Sequence, residues 1–260
     1  MQPTAAIRFQ HVTRHFGELH YTAIRDVTFE VAGGSFVAVV GPSGCGKSTL
    51  LNLAAGLLTP SEGAVEVFGQ PLQGLNRRAG YMFQQDALLP WKTVVDNVGL
   101  GLVLRGTDAA ETALDWVRRV GLGEFAHAYP SQLSGGMKKR AAIAQSWIVD
   151  PDILLMDEPF SALDVHTRLR METVLLDLWT ASPKTVLFVT HDLEEALALA
   201  DEVVVLAAGP ASNVVGRYTV DLPRPRDLID IRAQPRFAEL YREIWSLLRE
   251  EVLRSYERTS

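Results

Sequence analysis

Residues 41–49 read Gly41-Pro42-Ser43-Gly44-Cys45-Gly46-Lys47-Ser48-Thr49 and fit the pattern G-x-x-x-x-G-K-[ST]. The run before them, FVAVV (36–40), is continuously apolar, as expected of a strand buried on both faces. The residues after them, LLNLAAGLL, suit an apolar helix. Strand, glycine-rich turn and helix together make an anion site. Glycines let the backbone wrap closely so that several N–H groups point inward, and the helix N-terminus adds positive potential. Lys47 is expected to reach the β- and γ-phosphates of a nucleotide, and Ser48 to ligate Mg²⁺. Cys45 reads as a small residue filling one loop position. A thiol at a helix N-terminus can also have a lowered pKa, which leaves oxidation sensitivity as an alternative.

A second element supports this reading. The apolar run ILLM (153–156) ends in Asp157 and Glu158. Asp157 can hold Mg²⁺ through its water shell, and Glu158 can polarise an attacking water. Beside a phosphate loop, this pair predicts a nucleotide hydrolase rather than a binder alone.

Strand patterns extend outward from these two points. Residues 5–40 read as strands, with partial period-two alternation in AAIRFQHV and AIRDVTFEV. AVEVFG (64–69) and AGYMF (79–83) are short strand candidates. TVLFV (185–189) and EVVVL (202–206) are apolar strands, separated by the helical stretches LRMETVLLDLW and LEEALALA. Strands alternating with helices predict an α/β fold with a mostly parallel sheet, and the N-terminal strands an antiparallel arm. The character changes after Asp86. Residues 86–150 look helical, with Thr107 or Asp108 capping a helix that runs through Leu114, Val117 and Val120 to Gly121. The expected organisation is one domain over 1–260: an α/β core from 1–85 and 151–222, an inserted helical subdomain over 86–150, and a helical extension over 223–260. The arginines of PRPRD (223–227) read as a solvated linker. Beyond Pro235, residues Phe237, Leu240, Tyr241, Ile244, Leu247 and Leu248 form one apolar stripe, free to pack on its own domain or to touch a partner.

Leu133-Ser134-Gly135-Gly136-Met137 opens a further helix inside the insertion. Its serine and glycines at a helix start form a second anion site. One nucleotide does not need both sites from one chain. The economical arrangement is a head-to-tail dimer, with each nucleotide between one chain's loop and the other's serine-glycine helix.

Composition narrows the classes. The 260 residues are 47% apolar and 22% charged, an ordinary globular balance. A net charge of −6 argues against nucleic acid as a partner. One cysteine allows no internal disulfide and fits a reducing compartment. No apolar run approaches the roughly 18 residues of a membrane span, and the first residues carry no secretory pattern.

The ordered set GPSGCGKST, FQQ, LSGGM, ILLMDEP, SALD and VTHD resembles the ATPase subunits of ABC transporters along nearly the whole chain. The resemblance implies ATP and Mg²⁺ as ligands. It gives roles at matching positions. Gln84 would sense Mg²⁺ and the attacking water and link to the membrane partner. Ser134, Gly135, Gly136 and the following Met137 would close on the other subunit's γ-phosphate. Asp164 would join the two sites, and His191 would contact the γ-phosphate. Phe16 stands where the family places an aromatic against adenine, with Tyr21 as a competing stacker. Two features depart from the family: Met137 replaces a commoner glutamine, and Gln145-Ser146-Trp147 replaces an Arg-Ala-Leu-like stretch, which adds bulk in the insertion. Leu89-Pro90-Trp91 and the LPRPRDL tail resemble importers of nitrate, sulfonates, taurine or thiamine-precursor pyrimidines. That implies a second ATPase subunit (a homodimer is expected), an integral-membrane permease, indirectly a solute-binding protein, and a position at the cytoplasmic membrane face. A repair or translation ATPase would carry two cassettes or a long coiled coil. An exporter subunit would leave the LPRPRDL tail unexplained, and a small-molecule kinase the LSGGM and SALD elements.

Overall fold

The computed structural model describes residues 5–17, 21–85 and 87–259. Asp86, where the sequence changes character, lies outside the described residues. Two sheets and a helical block make up the molecule. The larger sheet contains β3 (Phe36–Val40), β6 (Ala79–Met82), β7 (Ile153–Asp157), β8 (Thr185–Val189), β9 (Glu202–Leu206) and β10 (Val214–Thr219), in the order β10-β9-β3-β8-β7-β6. All neighbours are parallel except β10, which runs antiparallel to β9. The smaller sheet is antiparallel: β1 (Ala5–Phe16), β2 (Tyr21–Ala32), β4 (Glu62–Val67) and β5 (Gln70–Pro71), in the order β2-β1-β4-β5.

The apolar runs earn their length because both faces of the parallel sheet are covered. Phe36, Ala38, Val40, Leu154, Met156, Val186, Phe188, Val203 and Val205 join one core. The alternate residues Val37, Val39, Ile153, Leu155, Leu187, Val189, Val204 and Leu206 join another, against the antiparallel sheet and α1 (Lys47–Ala54). The first core is roofed by α5 (Val165–Ala181), α6 (Leu193–Leu199) and α7 (Pro235–Thr259). The predicted stripe on α7 packs on its own chain: Phe237, Leu240, Ile244 and Leu248 are buried there, with Tyr241 and Leu247 partly so.

A third core lies among α2 (Val94–Leu104), α3 (Ala110–Arg119) and α4 (Gly135–Trp147). Thr93 and Asp96 form a capping box that starts α2. Asp108 accepts the Ala110 N–H at the start of α3, and Gly121 takes a left-handed φ of 69° after it. Trp147, the bulky departure in the insertion, is buried in the first core beside Met82 and Ala142, where it fills the junction between α4 and the sheet.

Two expectations need correction. Residues 207–222 carried no predicted element, yet β10 is there; as an edge strand with mixed exposure it lacks clean alternation. The PRPRD arginines are not a solvated linker. Arg226 is 7% exposed and donates to the carbonyls of Leu197, Ala198 and Ala200 at 3.4, 3.2 and 2.8 Å, and to those of Val220 and Leu222. These include orphan carbonyls of the buried C-terminal end of α6. Burial lowers the Arg226 pKa to about 10. Arg224 is more open; it bonds Leu199 O and Asp201 and lies 4.2 Å from the Trp179 ring centroid. Arg226→Ala is therefore expected to cost about 3 kcal/mol, because it leaves several buried carbonyls without a donor. Arg224→Ala is expected to cost less than half of that, and urea denaturation of the two variants gives the comparison.

Candidate nucleotide site

The loop after β3 turns through left-handed Gly44 and Gly46 before α1 begins at Lys47. Gly46 has no alternative: its φ is 92°, and a Cβ there would lie 2.5 Å from the Ile24 side chain. The Lys47 ammonium is folded back under the loop and donates to the carbonyls of Gly41 at 2.9 Å and Pro42 at 3.0 Å. Cys45 is fully buried, and burial pushes its thiol pKa up, against the lowered value that oxidation sensitivity needs. Ser48 Oγ donates to Asp157 Oδ1 at 3.0 Å. The Asp157 carboxyl is raised above its usual range, first by burial, with Ser48 opposing. Tyr81, on neighbouring β6, donates to Asn52 Oδ1 at 3.1 Å; burial, with the nearby Asp157 charge, raises its pKa. The Ser48 hydroxyl and the Asp157 carboxylate are hard oxygen donors, the kind Mg²⁺ takes when phosphates and waters complete its shell.

Glu158 follows directly on β7 with φ 42°, a left-handed conformation that costs a non-glycine residue energy and marks a constrained position. Its N–H donates to Val189 O at 2.9 Å, which ties it to the end of β8. Its Oε2 accepts from Gln84 Nε2 at 3.3 Å and lies 3.0 Å from His191 Nδ1. Gln84 follows β6 and His191 follows β8. Three adjacent parallel strands thus bring Gln84, Glu158 and His191 together at their C-terminal ends, the usual place for a ligand on such a sheet. A cleft of about 390 Å³ opens here, lined by Phe16, Tyr21, Ala23, Ser43 to Thr49, Gln84 and Glu158. Gly41 and Pro42 stay out of the lining and serve through their carbonyls. Phe16 and Tyr21 are partners in the β1–β2 register, so both candidate stackers stand at one end of the cleft.

The serine-glycine helix start is elsewhere. Ser134 caps α4 by accepting the Met137 N–H, and the Met137 side chain packs against the helical core. Gly136 presses on α5: a Cβ would lie 2.5 Å from Thr167. Asp164 caps α5, accepting from the His166 and Thr167 N–H groups. Ser134, Gly136, Met137 and Thr167 line a second cleft that has no residue in common with the first.

Several contributors went unnoticed in the sequence. Lys139 is buried and donates to Gln84 O at 2.7 Å. Its helical spacing to buried Ala142, Ile143 and Ser146 was the available signal. Thr190 Oγ1 donates to buried Glu195 at 2.6 Å and accepts from the Asp192 N–H, which braces the His191 loop. Arg168 joins this group, donating to Asp192 at 2.8 Å and to Leu163 O. Burial raises Glu195 from 4.5 to about 7, against the Thr190 bond. An acid with a raised folded pKa stabilises fully below its unfolded value and loses that stability as pH rises through the folded one. Stability from Glu195 should therefore fall between about pH 4.5 and 7, by at most about 1.4 kcal/mol per pH unit. Glu195→Gln should flatten that part of the curve, measured by thermal melts across the window.

Residues 24–161 match the family described as ABC transporter. The taurine import ATP-binding protein TauB of Rhizobium johnstonii is 46% identical over 241 residues, covering 90% of this chain and 92% of that protein. TauB of Yersinia pestis is 48% identical over 202 residues, covering 76% and 79%. An ATP-binding cassette solved as a dimer in a post-hydrolysis state, bound to ADP and Pi, matches with a TM-score of 0.74 at 33% identity, over 84% of this chain and all of that one. With the phosphate loop, the carboxylate at the strand ends and the serine-glycine helix in place, the chain belongs to the ABC transporter family as an ATP-binding subunit.

Proposed function

We propose that the chain hydrolyses ATP, with Mg²⁺, to drive an importer for taurine or a related sulfonate, nitrate or similar small solute. The observation that carries the catalytic part is the Glu158 carboxylate, held between Gln84 and His191 beside the phosphate loop. In this reading the N–H groups of residues 43–49 cradle the phosphates, and Lys47 leaves the Gly41 and Pro42 carbonyls to meet them. Ser48, Asp157 and Gln84 would hold Mg²⁺, which supplies charge neutralisation on the phosphates. Glu158 orients a water and takes up its proton as the water oxygen bonds to the γ-phosphorus and the bond from that phosphorus to the ADP oxygen breaks. His191 steadies Glu158 and faces the γ-phosphate. Phe16, or Tyr21 beside it, stacks on adenine.

Separation of the two clefts supports a head-to-tail homodimer. Ser134 and Gly136 line a cleft separate from their own chain's phosphate loop, and in this reading they, with Gly135 and Asp164, complete a partner's site. The dimeric state of the similar cassette agrees with this. The helical block of residues 86–150, with its own core, is read as the part that moves a permease. Buried Asn97 fixes the Leu89-Pro90-Trp91 loop by bonding Leu89, Lys92 and Thr93, and Trp91 projects 71% exposed, an apolar anchor for a membrane partner. Among the described residues no helix is long and apolar enough to cross a membrane, which fits a peripheral subunit on the cytoplasmic face. The TauB relatives support the importer branch.

Glu158→Gln should lower ATP turnover roughly 100-fold or more while leaving nucleotide binding intact. Light scattering should then show an ATP-dependent dimer, and a variant that hydrolyses at the normal rate removes Glu158 from this role. Tagged Glu158→Gln purified from solubilised native membranes with ATP should bring down a polytopic permease. Recovery from the soluble fraction alone would count against the importer.

A further inference from the structure

Among the described residues the C-terminal helix α7 contributes none to the nucleotide cleft, yet it reaches the phosphate loop through one peptide. Glu251 lies on the buried side of α7 and is 3% exposed. Its Oε2 accepts the Ala208 N–H at 2.9 Å in a buried contact spanning 43 residues of sequence. Its Oε1 accepts from Arg254. Ala208 follows β9, and the next residue, Gly209, abuts the loop. A Cβ on Gly209 would lie 2.7 Å from Gly44 O and 3.4 Å from Cys45 Cα. The end of β9 touches the loop as well: a Cβ on Gly41 would meet Leu206 O at 3.1 Å. Beyond Gly209 the chain is sewn to β2. Ala211 N–H donates to Thr22 O at 2.6 Å, and Ser212 N–H to Ala23 O at 3.2 Å. Ala23 and Tyr21, two residues before it, line the cleft. Residues 206–212 are thus the back wall of the phosphate loop, and Glu251 holds that wall from behind.

We propose that Glu251 is a positioning residue for the nucleotide site: by fixing the Ala207–Ala208 peptide, directly before Gly209, it keeps the phosphate loop in its phosphate-binding shape. This rests on the reading of residues 41–49 as the ATP site. A buried hydrogen bond to a carboxylate is among the stronger single contacts in a protein. When it is lost, the Gly209 wall loosens and fewer molecules hold the loop ready. Apparent affinity falls in proportion to that fraction. Bound phosphates then order the loop through its own N–H groups, so the chemical step is unaffected.

The test uses the full chain, with titration of a fluorescent N-methylanthraniloyl ATP and steady-state ATPase assays. Glu251→Ala should raise the nucleotide Kd and the KM for ATP about five- to tenfold, with kcat changed less than about twofold. Glu251→Gln keeps an oxygen that can accept the Ala208 N–H and should restore both to within about twofold of wild type. If Glu251→Ala does not fold, Glu251→Asp, one methylene too short for the bond, carries the same expectation. A lower melting temperature with unchanged Kd and KM would overturn the proposal and leave Glu251 as an anchor of α7 alone. Wild-type protein that fails to bind the nucleotide would instead overturn the reading of the loop.

Discussion

Covering both faces of one parallel sheet is the constraint from which the rest of this molecule follows. Alternate residues of β3, β7, β8 and β9 go to opposite cores, so polar side chains occur only at the ends of those strands. Chemistry is left to the strand ends. The candidate site positions lie just past the ends of four strands: the glycine loop after β3, Gln84 two residues past β6, Glu158 directly after β7, and His191 two residues past β8. Register between neighbours then sets their mutual distances. Asp157 opposite Val189, with the Glu158 N–H on Val189 O, places the carboxylate beside the His191 loop.

Around that sheet the molecule buries charge on one side. Glu172 with Arg232, Glu195 with Arg168, and Arg226 with five carbonyls all lie where α5, α6 and the segment before α7 meet. Such groups gain little net stability over an apolar packing, because desolvation offsets the attraction. Their geometric demands are strict, however. Arg168 in particular bonds both Asp192 and the Leu163 carbonyl, which links the His191 loop to the Asp164 cap.

The strand-loop-helix unit and the carboxylate pair were legible because their chemistry requires particular residue types at short spacing. Gly46 must be left-handed, and Asp157 and Glu158 must be adjacent. The core strands were legible because burial on both faces writes a continuous apolar run. Lys139, Glu195, Arg226 and Glu251 were not. Each is a long polar side chain whose burial depends on a partner segment remote in the chain, and local sequence cannot distinguish it from a solvated one. β10 escaped for a related reason: its pairing with β9, rather than its own pattern, makes it a strand.

Helix α6 has only seven residues, a length that would not hold in water by itself. One end is capped by Asp192, immediately after His191, and the other is gripped by Arg226. It works as a rivet with a head at each end. Neither terminus is left without a partner, and the His191 loop runs straight into the capped end. The same links tie the His191 loop to α5 through Arg168 and to the segment before α7 through Arg226, so the loop shares its anchorage with three separate parts of the chain.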